Sequence, residues 1–337
     1  MIERKKICLG IESTAHTFGV AIVEGHKILS NIRDVYTTEK GGIIPVEAAK
    51  HHMQIKEKVF EQALSVANVK IKDIDTVAFS QGPGLPPCLL VGKNFAKELA
   101  LRLAIPVIPV NHCIAHLEVV RAVTKASDPV LLYTSGANTQ VIAYAANRYR
   151  VFGETLDIGV GNFIDTFARY VGLGFPGGPK IAELAEKGKK LIRLPYTVKG
   201  MDVAFSGMLT NLQQKFNSQR YALEDLCYSL QEHAFAMLIE VTERAMAHLG
   251  KKELALGGGV ACNKRLQEMA KAMVKVRKGR CFIPEASLLV DNAAMIALTA
   301  QFMVMAKKFE FDKKEIERIE IKPHQRTDDV EVFWRKI

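Results

Sequence analysis

Short apolar runs separated by tight turns fill the first third of the chain, and longer amphipathic stretches alternate with them. Apolar runs of about four to eight residues bounded by turn residues are typical of strands, and apolar positions at three- and four-residue intervals are typical of helices. The pattern predicts the order strand, strand, strand, helix, strand, helix. The three strands are predicted at 7–11, 18–23 and 27–32, the first helix at 45–67 and the fourth strand at 74–80. The second helix ends at Leu103.

The same order of elements recurs from Pro129 onward. The second set consists of strands at 130–134, 140–145 and 149–154, helices at 162–171 and near 223–249, a strand at 253–256 and a helix beginning near Asn263. A recurring order over this length indicates two copies of one α/β unit. A chain of 337 residues is long enough for two lobes that each bury a core, with a cleft between them.

The turns that link the first two strands of each copy resemble one another. Glu12-Ser-Thr-Ala-His-Thr17 and Thr134-Ser-Gly-Ala-Asn-Thr139 are both rich in small hydroxyl residues. Two facing turns of this kind can hold phosphate groups, and Gly257-Gly-Gly259 ahead of a helix lets a ligand approach the positive helix end. Glycines after a strand also make ordinary tight turns, but their matched placement in both copies favours a phosphate site.

Composition and charge narrow the class of protein. No apolar run approaches the roughly 20 residues of a membrane helix, and no signal-peptide pattern precedes the first strand, so we expect a soluble, cytoplasmic protein. The 6 cysteines are scattered without a CxxC pair, which fits reduced thiols. A net charge of +10, with basic clusters at 187–193 and 264–280, suits a polyanionic partner. A generically basic soluble protein would show the same charge.

His112 and His116 stand four residues apart, directly after Asn111. Asparagine is a favourable helix N-cap, and residues at this spacing project from one helix face, as a pair of metal ligands requires. A metalloprotease HExxH motif would have glutamate where this chain has Cys113, and Glu118 lies on another side of the helix, so that general base is missing. Spacing alone leaves a metal pair and two ordinary histidines equally open.

Five further residues have both a structural and a functional interpretation: Tyr133, Asp165, Gly178, Asn263 and Asp291. Asp291 opens an apolar helix that it would cap, and Tyr133 within a strand would be half-buried. If both reached the cleft, they would add a phenolate and a carboxylate to the two imidazoles. Asp165 could bind ribose hydroxyls or make an ordinary hydrogen bond. The turn at Gly178 could face a ligand or join two helices, and Asn263 could be a cap.

Motifs along nearly the whole chain resemble one known family. The matching stretches are GIESTAHT (10–17), SQGPGL (80–85), VNHCIAH (110–116), SGANTQ (135–140), FGETLD (152–157), MDVAFSG (201–207), GGVACN (258–263), DNAAMIA (291–297), RTD (326–328) and VEV (330–332). By these stretches the sequence is similar to the universal tRNA threonylcarbamoyladenosine synthase (TsaD-like) family. The similarity is to its archaeal and eukaryotic branch, the catalytic subunit of the KEOPS complex.

The resemblance implies an actin-like (ASKHA, ribonuclease H-like) duplicated α/β fold, with two lobes around a central nucleotide cleft. Residues 1–129 plus 292–337 would form lobe I with a returning C-terminal helix, and residues 130–291 would form lobe II with an insertion at about 174–222. The resemblance also implies one metal ion, assigned as iron although zinc has similar ligand preferences, held by His112, His116, Tyr133 and Asp291. The implied nucleotide contacts are Tyr133, Thr134, Ser135, Gly136, Ala137, Asp165, Gly178 and Asn263.

The activity that the resemblance implies is threonylcarbamoyl transfer from threonylcarbamoyl-AMP to tRNA. The acceptor would be the exocyclic amine of the adenosine 3′ of the anticodon, in tRNAs reading codons that begin with A. His112, His116 and Asp291 would be catalytic, and Glu12 and His16 are candidate bases. ATP is an alternative ligand, and KEOPS-type proteins, including a small kinase as a separate chain, would be partners. Two other functions stay open: an actin-like ATPase scaffold without transferase chemistry and, less well supported, a metalloprotease.

The sequence departs from the family pattern at a few positions. Ala182 stands where the family has a glutamate expected at the nucleotide's ribose, and Glu183 comes one residue later on the helix, facing elsewhere. Ala137 and Ala293 replace glycines. An alanine side chain cannot make the ribose contact expected of that glutamate, and the methyl groups added at the glycine positions narrow the approach of a phosphate.

Overall fold

The computed structural model describes residues 5–38 and 41–335. Residues 1–4, on which the expectation of no signal peptide partly rests, lie outside this range, as do 39–40 and 336–337 within the predicted lobe I. The first unit contains β1 (Ile7–Glu12), β2 (Thr17–Glu24), β3 (Lys27–Val35), α1 (Pro45–Ala67), β4 (Thr76–Gly82), α2 (Pro86–Leu103), β5 (Val107–Asn111) and α3 (His112–Val123). Its strand order is β3-β2-β1-β4-β5, with β1 to β3 antiparallel and β4 and β5 parallel to β1.

The second unit repeats this arrangement with longer connections. It contains β6 (Val130–Thr134), β7 (Thr139–Ala145), β8 (Arg148–Glu154), α4 (Val160–Tyr170), α5 (Gly178–Ala185), β9 (Val198–Lys199), β10 (Asp202–Val203), α6 (Ser206–Asn217), α7 (Leu223–Leu249), β11 (Glu253–Gly257), α8 (Lys264–Val276) and β12 (Arg280–Phe282). The chain then forms α9 (Ala286–Leu289), α10 (Ala293–Ala306) and α11 (Lys313–Arg318). The second sheet has the order β12-β11-β6-β7-β8, which is the first order read from the other edge. The predicted duplication is confirmed.

Among the described residues, the two five-stranded sheets and their helices form three apolar cores. One core lies between the first sheet and α1 with α2, and another lies between the second sheet and α4 to α8. Between them, α3 and α10 pack together with residues from both sheets. Contact between β1 and α10 is close, because a Cβ at Gly10 would lie 2.5 Å from the Ala293 carbonyl oxygen and 2.7 Å from the Ala297 nitrogen. Glycine is therefore required at this point of the strand.

Two aspartates form hydrogen bonds that connect the insertion to the second sheet. Asp157 accepts hydrogen bonds from the backbone N–H groups of Phe205 and Ser206, both at 2.9 Å, where α6 begins. Asp202 accepts the N–H of Glu154 at 2.9 Å. The motif stretches at 152–157 and 201–207 therefore stabilise each other through structural contacts.

The returning helix α10 packs against α3 in a core that contains residues of both sheets. The lobe boundaries themselves stay a prediction. Across the described ranges, no helix combines the length and the apolar character needed to cross a bilayer.

Candidate metal centre and adjoining cavity

Two histidines lie in the first turns of α3. Asn111 caps this helix, because its side chain accepts the backbone N–H of Ile114 at 3.0 Å. His112 and His116 consequently stand one turn apart on the same face, with ring centroids separated by 4.9 Å. Both side chains are buried. The predicted cap and the common face of the two histidines are confirmed.

Tyr133 and Asp291 reach the histidine pair from two other elements. The Tyr133 hydroxyl, near the end of β6, lies 3.1 Å from His112 Nε2. Asp291 Oδ1 lies 3.3 Å from His116 Nε2 and 3.4 Å from His112 Nε2. The structural interpretation of Asp291 as a helix cap is wrong, since Asn292 caps α10 by accepting a backbone N–H at 3.0 Å. The Asp291 carboxylate is therefore available to the cluster.

The four donor atoms are spaced as ligands of one small ion would be. Bonds of about 2.0–2.2 Å to nitrogen and oxygen place neighbouring ligands roughly 3.0–3.6 Å apart in octahedral or tetrahedral geometry. The donor atoms of His112, His116 and Asp291 all lie within 4.8 Å of one another. The Tyr133 oxygen completes the set at 3.1 Å from His112 Nε2. These residues therefore fit a metal ion that prefers nitrogen and oxygen donors.

Glu12 fixes the orientation of the His112 ring. Glu12 Oε2 lies 3.0 Å from His112 Nδ1, which leaves Nε2 facing the other donors. Glu12 Oε1 accepts the backbone N–H of Thr14 at 2.7 Å and its hydroxyl at 2.5 Å. Because both carboxylate oxygens are engaged in a fully buried position, Glu12 is placed as the partner of His112 and poorly placed as a general base.

Burial and charge act in opposite directions on the cluster. Burial would raise the pKa of Asp291, but His112 and His116 hold it well below its ordinary value. Burial opposes protonation of His112, yet Glu12, Tyr133 and Asp291 together raise its pKa well above the ordinary range. Burial also raises the pKa of the Tyr133 phenol and lowers the pKa of His116. The surroundings of His112 are thus negative, as a bound cation requires.

A cavity of about 1810 Å³ opens beside this cluster, and His112, Tyr133 and Asp291 form part of its wall. The first unit contributes Thr14–His16 to the wall, and the second contributes Ser135–Asn138. Both hairpin turns singled out in the sequence therefore face one space, as two phosphate-binding turns would.

The residues expected at a nucleotide divide between the cavity wall and the interior. Those on the wall are Tyr133, Ser135, Gly136, Ala137, Asp165, Gly178 and Asn263. Thr134 is not among the described wall residues, and its buried hydroxyl donates to the Gly257 carbonyl at 3.3 Å. The Thr134 side chain therefore stabilises the turn through its bond to β11, on the side away from the cavity wall.

Asp165 and Asn263 combine a structural contact with a place on the wall. Asp165 accepts the Gly177 N–H at 2.8 Å, and burial raises its pKa. Asn263 caps α8 by accepting the Arg265 N–H at 2.8 Å, and its amide donates to Gln231 Oε1 at 2.8 Å. Both residues therefore make the structural hydrogen bonds expected of them, and both also line the cavity.

Helix α5 presents its first residues to the same cavity. Gly178 has open space where a side chain would be, so a ligand can approach the backbone there. Ala182 also forms part of the wall, at the position of the family's glutamate. Glu183 reaches the wall too, against the expectation that it faces elsewhere, but its side chain is 70% exposed and pairs with Lys187 at 3.0 Å.

His16 is the second candidate base, and it lies on the cavity wall. Within the described parts of the chain, its Nδ1 is buried without a hydrogen-bond partner. Its ring packs edge-on against Phe175, with centroids 6.5 Å apart. His16 therefore retains an unpaired nitrogen in the cavity lining.

Glu118 is engaged by residues outside the metal-ligand cluster. Fully buried, it accepts hydrogen bonds from the Tyr149 hydroxyl, from Trp334 Nε1 at 2.7 Å and from Arg121 at 2.5 Å. Its oxygens are occupied by structural donors. Glu118 therefore does not replace the missing glutamate of a metalloprotease.

The segment Pro323–Thr327 also lines the cavity, which the sequence did not predict. Gln325 Oε1 accepts a hydrogen bond from Asn111 Nδ2 at 3.1 Å, and the Pro323 carbonyl accepts the Gly84 N–H at 3.1 Å. Contacts between residues this distant in sequence leave no trace in local patterns. Only the motif stretch at 326–328 marked the segment, without indicating its place.

Comparisons with known proteins agree on one family. The family model described as "TsaD: tRNA N6-adenosine threonylcarbamoyltransferase" matches residues 27–298. The tRNA N6-adenosine threonylcarbamoyltransferase of Thermococcus sibiricus is 55% identical over 328 residues, covering 97% of this chain and 100% of the relative. The same enzyme of Thermococcus kodakarensis is 53% identical, covering 97% and 99%. A "probable bifunctional tRNA threonylcarbamoyladenosine biosynthesis protein" of Methanocaldococcus jannaschii is 52% identical, covering 98% of this chain and 61% of the relative.

Solved structures share the fold at much lower identity. HypF of T. kodakarensis has a TM-score of 0.66 at 14% identity, covering 90% of this chain and 48% of HypF. Component A of (R)-2-hydroxyglutaryl-CoA dehydratase from Acidaminococcus fermentans has a TM-score of 0.57 at 13% identity, covering 89% and 99%. These likenesses confirm the expected two-lobe, actin-like α/β fold.

The family model spans most of the chain, and the Thermococcus relatives match it almost end to end. The chain therefore belongs to the tRNA N6-adenosine threonylcarbamoyltransferase family and is a transferase that modifies tRNA with a threonylcarbamoyl group.

Proposed function

We propose that the chain transfers threonylcarbamoyl from threonylcarbamoyl-AMP to the exocyclic amine of the adenosine 3′ of the anticodon, in tRNAs reading codons that begin with A. The observation that supports this proposal best is the metal-ligand cluster in the wall of a cavity shared by both units. The cavity volume of about 1810 Å³ exceeds the roughly 300–1,000 Å³ of ordinary ligand pockets. The adenylate and the acceptor nucleoside could therefore occupy it together.

The family is metal-dependent and nucleotide-binding. In this chain His112, His116, Tyr133 and Asp291 would hold the ion, and the distances between their donor atoms support that assignment. We propose iron, although the donor set would also accept zinc. When bound, the ion supplies Lewis acidity that polarises the carbamoyl oxygen or orients the acyl phosphate.

The chain's own residues would bind and orient the adenylate. The backbone of the turn at Ser135–Ala137 and the open first turn of α5 at Gly178 would bind its phosphate. Asp165 would accept hydrogen bonds from the ribose hydroxyls, and Asn263 lies on the wall of the same cavity. The Tyr133 backbone, which pairs with Gly257, and the Thr134 hydroxyl, which donates to the Gly257 carbonyl, would hold this turn against β11.

In the transfer step the adenosine amine attacks the carbamoyl carbon. The bond from that carbon to the phosphate oxygen breaks, AMP leaves with the bonding electron pair, and one proton leaves the amine nitrogen. His16 is the better placed of the two candidate bases, because its Nδ1 is unpaired whereas Glu12 is fully engaged. Walls from both units would exclude the water that otherwise hydrolyses the donor.

Besides tRNA, we propose KEOPS-type proteins as partners, including a small kinase on a separate chain. We also propose that the protein acts in the cytoplasm. The name of the bifunctional M. jannaschii relative, of which this chain matches 61%, supports a second activity working beside this one. The net charge of +10 supports a polyanionic substrate.

A reconstituted transfer assay tests this function. The chain is supplied with threonylcarbamoyl-AMP, cognate tRNA and candidate partner chains, and nucleosides from digested tRNA are measured by mass spectrometry. We expect modified adenosine in equal amount to released AMP. No modified adenosine in any combination would contradict the proposal. ATP turnover without transfer would favour the scaffold, and peptide hydrolysis lost in His112→Ala would favour the protease.

A further inference from the structure

A second cavity of about 480 Å³ lies in the insertion and is lined by Arg193, Leu194, Pro195, Tyr196 and Asn211. Among the described residues, it shares no wall residue with the large cavity. We propose that this pocket binds an unstacked nucleotide of the tRNA, a few positions along the loop from the acceptor adenosine. The inference rests on the proposed function, because it names a second contact of the same substrate.

Tyr196 offers a fixed aromatic face at this pocket. Its hydroxyl donates to Glu240 Oε2 on α7 at 2.6 Å, and Glu240 in turn pairs with Arg244 at 2.5 Å. The residue is nevertheless 46% exposed. Stacking of a base on an aromatic side chain strengthens binding roughly five- to 150-fold and tolerates any base. A ring already held in place loses little further freedom when a base stacks on it.

Arg193 adds an uncompensated positive charge beside this ring. Its neighbours Ile192 and Leu194 are buried, and the Ile192 N–H donates to Ser229 Oγ at 2.7 Å, so the backbone of this segment is anchored. Arg193 itself is exposed and has no ion pair or hydrogen bond with the described residues. A free guanidinium on an anchored backbone is well suited to a phosphate, which it can bind through two parallel hydrogen bonds.

Asn211 supplies the polar group that a base edge needs. Its Oδ1 is buried, and no donor within the described chain reaches it. Leaving a buried amide oxygen unpaired is unfavourable, so rotation of the Asn211 side chain to accept an N–H group of a bound base would be favoured. The pocket thus combines a ring for the base face, a cation for the phosphate and an amide for the base edge.

Helix α7 connects the large cavity to the residue that holds Tyr196, and its rise sets the scale of the spacing along this helix. Glu232 on α7 lines the large cavity, and Glu240, which holds Tyr196, follows 8 residues later (240 minus 232) on the same helix. At 1.5 Å per residue the separation is about 12 Å, or three to four stacked nucleotides at about 3.4 Å each. The exposed Lys189 lies on the large cavity's wall and precedes Arg193 of the pocket by 4 residues (193 minus 189) in the chain. An adenosine in the large cavity would therefore leave a nucleotide of the same loop at the pocket.

Binding of a labelled anticodon stem–loop RNA to the full-length chain, followed by fluorescence anisotropy, tests the pocket. We expect Tyr196→Ala to weaken binding roughly tenfold or more and Tyr196→Phe to retain most of it, because the ring remains. Arg193→Ala should weaken binding and reduce the salt dependence of log Kd by about one unit, which Tyr196→Ala should not do. Asn211→Leu should weaken binding without lowering thermal stability.

Arg220→Ala is the matched control, because Arg220 is an exposed arginine of the same insertion that does not line the pocket. AMP affinity should be unchanged in all variants, and in the reconstituted assay KM should rise for tRNA alone. The inference would be overturned if Tyr196→Ala and Arg193→Ala bound the RNA as tightly as Arg220→Ala does. It would also be overturned if neither wild type nor any variant bound the RNA. Loss of a partner protein's binding with RNA affinity intact would also overturn it. Failure of transfer by wild type would count against the proposed function, while the RNA affinities still decide the pocket.

Discussion

Glu12 determines which nitrogen of His112 faces the other donor atoms. The 3.0 Å contact of its carboxylate with Nδ1 fixes the ring and leaves Nε2 for an ion. Carboxylates that bind the second nitrogen of a ligating histidine also raise the basicity of the first. Glu12 is thus a positioning residue that acts through His112.

Glu12→Ala should lower metal affinity roughly 10- to 100-fold, because the ring loses its orienting partner. Glu12→Gln should lower metal affinity less, since the amide oxygen can still accept a hydrogen bond from the Nδ1–H group. Competition against a chelator of known affinity measures both. Glu154→Ala is the control, because Glu154 lines the large cavity but contacts Gln140 and Arg326. Unchanged metal affinity in Glu12→Ala would refute this role.

Sequence alone identified only half of the metal-ligand cluster. The histidine pair leaves a local signal because both residues lie on one helix, whereas Tyr133 and Asp291 were assigned through the family resemblance. Asp291 and Asn292 are both favourable caps, so local preference cannot tell which residue caps α10. Only the tertiary structure, in which Asn292 caps and Asp291 faces the histidines, separates them.

At the level of elements, Asp157 caps a helix that lacks a cap of its own. Phe205, the residue before α6, provides no side-chain cap, and Asp157 accepts N–H groups from Phe205 and Ser206 across the insertion. Burial opposes ionisation, but the hydrogen bonds from Ser206, Phe205 and Ile158 prevail and lower the pKa of Asp157 below its ordinary value.

Asp157→Ala should destabilise the protein by about 1 kcal/mol at neutral pH, a modest value because the residue is exposed. Since folding lowers this pKa, the stabilisation is fully present above the unfolded value and is lost as pH falls through the folded value. Chemical denaturation of wild type and variant at pH 7 and near pH 3 measures the difference. Thr210→Ala, elsewhere on α6, is the control. A difference that persists undiminished at low pH would contradict the role of the charge.

Long periodic elements could be predicted closely from the sequence, and irregular connections could not. The predicted bounds of α1 and α7 match the structure because two dozen residues of helical period leave little ambiguity. The strand predicted at 74–80 is shifted to Thr76–Gly82, since Gly82 still pairs with Asn111 although its composition is typical of a turn. A helix after the turn at Gly178 was predicted without an end, and α5 confirms it. The short helix α6 went unpredicted, because tertiary contacts such as the Asp157 cap stabilise it.

At the level of the whole molecule, the large cavity connects the two units. Its wall combines turns of both sheets with the ends of α3 and α5. A ligand that contacts both sides binds the folded chain and not the unfolded one. Its binding free energy therefore adds to the stability of the entire protein.

AMP at about 100 times its Kd should raise the free energy of unfolding by about 2.7 kcal/mol. Thermal unfolding with and without AMP measures the effect. Asp165→Ala should show a smaller shift at the same AMP concentration, because a proposed ribose contact is lost. Equal shifts in Asp165→Ala and wild type would place the nucleotide elsewhere.

The most direct measurement for the central claim compares bound metal and product formation in wild type and Asp291→Ala within one reconstituted assay. We predict that wild type carries about one ion per chain and forms modified adenosine. Asp291→Ala should lose both while binding AMP as wild type does, because Asp291 contacts both histidines. Wild-type product formation by an Asp291→Ala chain free of metal would contradict the account.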